Sequence, residues 1–258
     1  MRLRIRHSRY ALILGGCFLV LFAAMTFSPI DRKDWILENV LTLVFILFLL
    51  VTFRRFPFSR ISYTLMFVFL CMHEIGSHFT YALVPYNEWT QSLFGFKLND
   101  VMGWHRNHYD RLVHFSYGLL LSYPIREMFH RIVDVKGFWG YFLPLDVTMS
   151  TSMLYELIEW GAAMLFGGDL GAAYLGTQGD IWDAHKDMGL ATLGAVIAMI
   201  VTALINYYIQ HDFAREWAES FRVKGKKPLG EDEISRLMIK KKRAKRDRTG
   251  DEDVSRQE

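Results

Sequence analysis

Residues 183–208 read DAHKDMGLATLGAVIAMIVTALINYY. Beyond Asp187 the stretch is apolar for about 20 residues, the length that an α-helix needs to cross the hydrocarbon core of a bilayer. Asp183 and Asp187 are four positions apart at its start, so both carboxylates lie on one helical face. An ionisable group in a membrane is costly unless it faces a partner, a cavity or an ion. The stretch therefore predicts a membrane helix that contributes to a functional site.

The rest of the chain has the same character. Of its 258 residues, 52% are hydrophobic and 15% aromatic, a balance typical of a polytopic membrane protein rather than a soluble domain. Pro144 predicts either a kink in the fifth span or a later start of that helix, capped by Asp146. We expect an all-α bundle with six transmembrane helices, near residues 10–27, 35–53, 61–83, 110–124, 138–166 and 184–208.

Basic residues mark the loops that stay in the cytoplasm. Arg and Lys are concentrated at the N-terminus, in the loops after the second and fourth spans, and in the C-terminal segment. We therefore predict that both termini are cytoplasmic, with residues 1–210 forming the bundle and 211–258 a charged tail. The basic tail fits anionic membrane lipid, and nothing else in the sequence indicates nucleic-acid binding.

Ionisable residues recur in pairs, three or four positions apart, within or at the ends of four of the predicted spans. The pairs are Glu74 and His78, Asp110 and His114, Glu156 and Glu159, and Asp183 and Asp187. With the predicted orientation, all four pairs fall in the outer half or at the outer end of a span. Topology and pairing rest on independent features, so their agreement predicts one shared site that opens to the outer side of the membrane.

Carboxylates with histidine suit a divalent metal such as zinc, manganese or iron. Two nearby glutamates such as Glu156 and Glu159 cannot both stay ionised beside hydrocarbon without a cation or an arginine close by. The expected ligands are His114, Glu156 and Asp183, with His78 and Glu74 as further candidates.

We expect catalytic roles for the remaining acidic residues of the pairs. Asp110 lies one turn before His114 and can orient its imidazole. Glu159 or Asp187 would be the general base that activates a metal-bound water. Asp183 could instead cap its helix, and Arg111 could be the partner of a carboxylate or of lipid phosphate.

Three functions fit this pattern. The leading expectation is a membrane enzyme that acts on a lipid-linked or cell-envelope substrate by hydrolysis or group transfer at a divalent metal. The first alternative is a proton- or cation-coupled transporter that uses the same acids as a relay. The second is a non-catalytic membrane partner protein, in which the pairs are interhelical hydrogen bonds. The sequence decides neither among them nor between oligomeric states.

At these residues the sequence resembles the YjdF-type family of bacterial inner-membrane proteins. The resemblance extends from the third span to the sixth and implies the inner membrane as location, with no particular activity. It is carried by His73-Glu74, Tyr109-Asp110-Arg111, Glu156 with Glu159-Trp160, and Gly179-Asp180-Ile181-Trp182-Asp183.

A fainter resemblance is to VanZ-like membrane proteins. Their pattern of Asp-Lys-x-x-His, a glutamate and Asp-x-x-x-Asn is similar to Asp110-Arg111-x-x-His114, Glu156 and Asp183-x-x-x-Asp187 here. Arg111 stands in place of their lysine and Asp187 in place of their asparagine. The second departure changes the charge of any shared site.

Overall fold

The computed structural model describes residues 2–168, 171, 177–210, 212–222, 230 and 233–243, with side chains from residue 9 onward. No strand occurs within these ranges, so the all-α prediction is confirmed. The helices are α1 (Arg2–Thr26), α2 (Arg32–Thr52), α3 (Arg60–His78), α4 (Tyr86–Phe94), α5 (Leu98–Met102), α6 (Tyr109–Ile132), α7 (Trp139–Phe166), α8 (Asp183–Ile209) and α9 (Phe213–Ser220).

The chain divides into two compact units, Met1–Ser220 and Phe221–Glu258. The first unit contains all nine named helices and runs past residue 210 to include α9. In the second unit, residues 233–243 are helical. The other residues of the second unit lie largely outside the described ranges, so the cytoplasmic tail at 211–258 stays a prediction.

Three helices within the described residues have the length and composition to cross a membrane. They are Arg9–Thr26 in α1, the whole of α2 and the whole of α8. Much of their surface is apolar and exposed, for example at Leu47, Val51 and Ile200. A bilayer is the environment that makes such surfaces favourable, because they face lipid instead of water.

The predicted third span at 61–83 is wrong at its C-terminal end, because α3 ends at His78. The chain then turns through Thr80 and Tyr81, both with positive φ. The N–H of Tyr81 donates to the carbonyl of Gly76 at 2.7 Å, and its ring fills the space where a Cβ of Gly76 would stand. The glycine thus lets the chain fold back onto the helix end and satisfy its free carbonyls.

The helix at the predicted fourth span is also longer than 110–124. Helix α6 begins at Tyr109 and continues through Pro124 to Ile132. Helix α7 likewise contains Pro144 and is one helix, so Asp146 does not cap a later start. A proline removes one backbone hydrogen bond, but neighbouring helices and hydroxyl side chains can accommodate the loss within a bundle.

Contacts at the opposite end of the bundle from the predicted site tie α3 to α6. The Glu127 carboxylate accepts the N–H of Ser59 at 2.9 Å and the hydroxyl of Ser62. Ser59 is the N-cap of α3, and Arg131 pairs with the same carboxylate at 2.6 Å. The start of α3 is thereby held against the last turns of α6.

Candidate functional site

Two glycines bring α6 and α8 into backbone contact. A Cβ at Gly118 would lie 1.8 Å from the carbonyl oxygen of Ala191, and a Cβ at Gly194 would lie 2.2 Å from that of Phe115. Small residues allow membrane helices to approach this closely, and close packing stabilises their association. One and two turns before Gly118, the same face of α6 carries His114 and Asp110, which therefore meet the first turns of α8.

Asp110, His114 and Asp187 form a group of possible metal ligands. One ligand atom from each residue lies within 4.8 Å of the other two. His114 Nε2 is 3.4 Å from Asp110 Oδ1. Asp187 is 2% exposed, and its Oδ1 has no hydrogen-bond partner among the described residues. A buried carboxylate oxygen without a partner needs a proton or a cation, and this geometry can supply a cation with three ligands.

Helix α7 brings Glu156 and Glu159 to the same place. Glu156 Oε1 lies 3.7 Å from His114 Nδ1, the nitrogen on the opposite side of the ring from Asp110. Both glutamates are buried, and the Glu159 carboxyl lies within electrostatic range of Glu156 and Asp110. The structure therefore brings five of the predicted site residues into one region, namely Asp110, His114, Glu156, Glu159 and Asp187.

Helix α2 adds Glu38, which is not among the residues predicted from the sequence. Its Oε2 accepts the hydroxyl of Tyr155 at 3.0 Å, and its carboxyl interacts electrostatically with Glu159. One turn earlier, Asp34 is also buried. Asp34 and Glu38 have the same four-residue spacing that marks three of the predicted pairs, so the signal is present in the sequence. This spacing is easily overlooked, because Asp34 follows Arg32 and Lys33 and looks like a loop residue that balances their charge.

We refer to Glu38, Asp110, Glu156, Glu159 and Asp187 as the acidic cluster. Ion pairs of this cluster within the described part of the chain involve only His114. Five carboxyls around one imidazole cannot all remain ionised in a buried environment unless a cation joins them or some are protonated.

A second group of charges lies just outside the cluster. Arg106 binds both carboxylate oxygens of Asp183, at 2.8 and 3.3 Å, and also donates to the carbonyl of Thr177 at 2.9 Å. Arg111 donates to Asp183 at 3.1 Å. Asp183, an expected metal ligand, is therefore held by two arginines, and Asp187 takes its place next to His114.

Asp180 completes this outer group. Its Oδ2 accepts hydrogen bonds from Arg111 and from Lys186. Arg106, Arg111, Lys186, Asp180 and Asp183 are referred to as the ion-pair network. The network has three cations for two carboxylates, so Asp180 and Asp183 are fully compensated and one positive charge remains, with Arg111 in electrostatic range of Asp187. Of the two partners considered for Arg111, a carboxylate of this chain is the one that the structure shows.

The remaining predicted pair does not join the group. His78 Nδ1 lies 2.8 Å from the carbonyl oxygen of Met25 in α1. Glu74 is fully buried, and neither of its carboxyl oxygens has a hydrogen-bond partner among the described residues. His73 is the residue of this motif that reaches the site region, where its Nδ1 hydrogen-bonds the hydroxyl of Tyr81.

A cavity of about 300 Å³ extends from this region into the bundle. Asp110, His114, His73 and Tyr155 form its polar end. The rest of its wall is mainly apolar and comes from α2, α3, α6 and α7, with Leu41, Phe45, Phe69, Leu121, Leu154 and Ile158. A largely apolar pocket with a few converging polar groups is the usual form of a small-molecule site.

The ion-pair network is expected to be insensitive to mild acid. Hydrogen bonds from Lys186, from the N–H of Trp182 and from Arg111 hold the pKa of Asp180 well below its ordinary value of 3.8. A lowered pKa stabilises the fold above the ordinary value, and this contribution is lost only as the pH falls through the lowered pKa. The difference in melting temperature between wild type and Asp180→Asn should therefore stay constant from pH 8 to pH 5. A difference that disappears between pH 7 and pH 5 would contradict this assignment.

Comparison with known proteins identifies the family of the chain. Residues 10–207 match the family described as "Predicted membrane protein (DUF2238)", a range that contains the acidic cluster and the ion-pair network. The chain is 36% identical over 196 residues to the "Inner membrane protein YjdF" of Escherichia coli (strain K12), which covers 74% of this chain and 90% of that protein. No solved structure matches the chain.

These matches confirm the resemblance to the YjdF-type family and the predicted location in the inner membrane. The likeness to VanZ-like proteins stays a prediction. The chain is an integral inner-membrane protein and belongs to the DUF2238 family of membrane proteins.

Proposed function

We propose that this protein is a metal-dependent membrane enzyme that hydrolyses, or transfers a group from, a lipid-linked or cell-envelope substrate. The observation that carries the proposal is the meeting of Asp110, His114 and Asp187, with ligand atoms within 4.8 Å of one another, at the polar end of an apolar cavity. Such an enzyme requires a site for a Lewis acid and a space for an apolar substrate, and the ligand group and the cavity would provide them.

The charge balance supports a divalent cation. Asp180 and Asp183 are compensated by Arg106, Arg111 and Lys186. The five carboxyls of the acidic cluster, in contrast, form ion pairs among the described residues with His114 alone. A divalent ion would offset two of the buried negative charges and would satisfy the free oxygen of Asp187. Carboxylate and imidazole donors together fit zinc, manganese or iron.

The geometry suggests roles that differ in part from those that the sequence predicts. Asp110, His114 and Asp187 are the metal ligands. Glu156 lies at the other ring nitrogen of His114, where a carboxylate fixes the tautomer and orientation of a ligating histidine. Asp183 positions Arg106 and Arg111 instead of binding the metal.

Glu159 is the general base in this proposal, because it is buried beside Glu156 and Asp110. The metal would lower the pKa of a bound water toward neutrality. Glu159 would accept a proton from the water whose oxygen bonds to the electrophilic atom of the substrate. As the bond to the leaving group breaks, Glu159 would return that proton to it.

The test is a reaction of purified protein in detergent with a bacterial total lipid extract, supplied with zinc, manganese or iron and followed by mass spectrometry. Wild type should produce new water-soluble or lipid species that are absent with a chelator and with Asp187→Asn. Asp100→Asn, at an exposed position of the short helix α5, is the matched control and should behave as wild type. Identical profiles for wild type, the chelated sample and Asp187→Asn would contradict the proposed activity.

We also propose six spans with both termini in the cytoplasm. Helices α1, α2, α3, α6, α7 and α8 each have at least 19 residues. The acidic residues lie at the start of α2, α6 and α8 and toward the end of α7. If successive spans cross the membrane in alternating directions, these four helix ends lie on the same side of it. The basic loops would then be cytoplasmic.

This topology makes a prediction for cysteine labelling in a variant that lacks Cys17 and Cys71. A cysteine at Gln91, exposed in α4, should react with a membrane-impermeant maleimide in intact spheroplasts. A cysteine at Lys136 should react only after permeabilisation, because its loop is expected to be cytoplasmic. Labelling of both positions in intact spheroplasts, or of Lys136 alone, would contradict the proposed orientation.

A further inference from the structure

The cavity beside the acidic cluster is shaped as a lengthwise slot rather than a round pocket. Its wall includes Asp110, His114, Tyr117 and Leu121, which follow one face of α6. Eleven residues separate the first from the last, which is roughly 16 Å along a helix. The ionisable wall residues Asp110 and His114 lie at one end, and hydroxyl groups such as that of Tyr117 lie further along. Phe45, Phe69 and Leu121, which belong to one apolar cluster, form the other end.

The arrangement of the helices points to a side entrance of the slot between α2 and α7. The hydrogen bond from Tyr155 to Glu38 joins these helices at the polar end. One turn further from that end, Thr42 on α2 and Ser152 on α7 are both buried, and both line the cavity. Within the described part of the chain, α2 packs mainly on α3 and has no extensive contact with α7.

The rim of this entrance faces the surroundings of the bundle. Leu41 on α2, together with Leu154 and Ile158 on α7, lines the cavity and is also more than one third exposed. Helix α2 has the length and composition to cross the membrane. The entrance therefore opens toward hydrocarbon, and a chain could enter from the bilayer without passing through water.

We propose that this slot binds one hydrocarbon chain of a membrane lipid and so places the lipid headgroup at the acidic cluster. The inference rests on the proposed function and deepens it, because it names the part of the substrate that the protein holds. A volume of about 300 Å³ is at the lower end for small-molecule sites. It takes part of a single chain, while the rest of the lipid remains in the bilayer.

Two leucines on α7 provide a matched pair for the test. Leu154 lines the slot, whereas Leu157 does not, and their exposed fractions are 53% and 51%. Leu154→Trp should fill the entrance, while Leu157→Trp adds the same bulk to an open lipid-facing surface. Ile158→Trp, on the same rim, gives a second block in case the first variant fails to fold.

The experiment is a titration of each purified protein in detergent with dioleoyl phosphatidylglycerol, read by native mass spectrometry. Wild type and Leu157→Trp should retain one tightly bound lipid, and Leu154→Trp and Ile158→Trp should bind it roughly tenfold or more weakly, because the buried chain contact is lost. Asp187→Asn should retain the lipid but not the metal, so failure of the metal chemistry is separable from failure of the slot. Equal retention by all variants, loss in Leu157→Trp as well, or no retained lipid in wild type would overturn the proposal.

Discussion

Gly118→Ala is expected to lower the melting temperature of the protein by roughly 10 °C, although alanine is the better helix former. The added Cβ would lie 1.8 Å from the carbonyl oxygen of Ala191. That atom belongs to the backbone of α8 and cannot rotate away, so the two helices must separate. Overpacking in a well-packed interior costs about 1–3 kcal/mol and more where the backbone must move. The separation also draws Asp110 and His114 away from Asp187, so metal affinity should fall.

Gly189→Ala is the matched control, because Gly189 lies in α8 with nothing within 4 Å of the added Cβ. It should leave the melting temperature unchanged or raise it slightly. Thermal unfolding in detergent, followed by loss of the monodisperse peak in size-exclusion chromatography, measures both variants. Equal melting temperatures for the two substitutions would show that the close α6–α8 contact is not formed.

Removing both arginines of the ion-pair network is expected to have the second large effect. Arg106→Met with Arg111→Met leaves Asp183, which is 3% exposed, without its two cationic partners. An uncompensated buried charge costs about 3–5 kcal/mol, whereas a buried pair replaced as a whole costs little. The double variant should therefore be strongly destabilised, and adding Asp183→Met should recover most of the loss.

Arg215→Met tests whether any lost ion pair has this effect. Arg215 pairs with Glu219 at 2.9 Å, but its side chain is 75% exposed. Exposed pairs contribute at most about 1 kcal/mol, so the melting temperature should hardly change. The network does not have the proposed role if Arg106→Met/Arg111→Met melts at the same temperature as Arg215→Met, or if Asp183→Met gives no recovery.

Much of the fold follows from the sequence, because apolar runs of membrane length have few alternatives to a helix. The positions of α1, α2 and α8 agree closely with the predicted spans. The errors arise where packing overrides a local signal. Pro124 favours the end of a helix, yet α6 continues to Ile132, and the apolar residues after His78 turn back onto Gly76 instead of extending α3.

Part of the candidate site is predictable, because the spacing of ionisable residues shows which of them share one face of a helix. Spacing identified Asp110 with His114 and Glu156 with Glu159, and the structure places them together. Spacing could not show which carboxylates have cationic partners. Arg106 comes from a loop that carries no periodic pattern, and its contact with Asp183 spans 77 positions. Only the three-dimensional structure could therefore show that Asp187, and not the expected ligand Asp183, is the carboxylate of α8 that groups with His114.

The metal content of the purified protein tests the central claim most directly. Protein prepared without chelators and supplied with zinc, manganese and iron would be measured by plasma mass spectrometry, with His114→Ala, Asp187→Asn and the control Asp100→Asn. We expect about one metal ion per chain in wild type and in Asp100→Asn, and little or none in the two ligand variants. Wild type without metal after supplementation, or Asp187→Asn with the metal content of wild type, would contradict the proposed metal site.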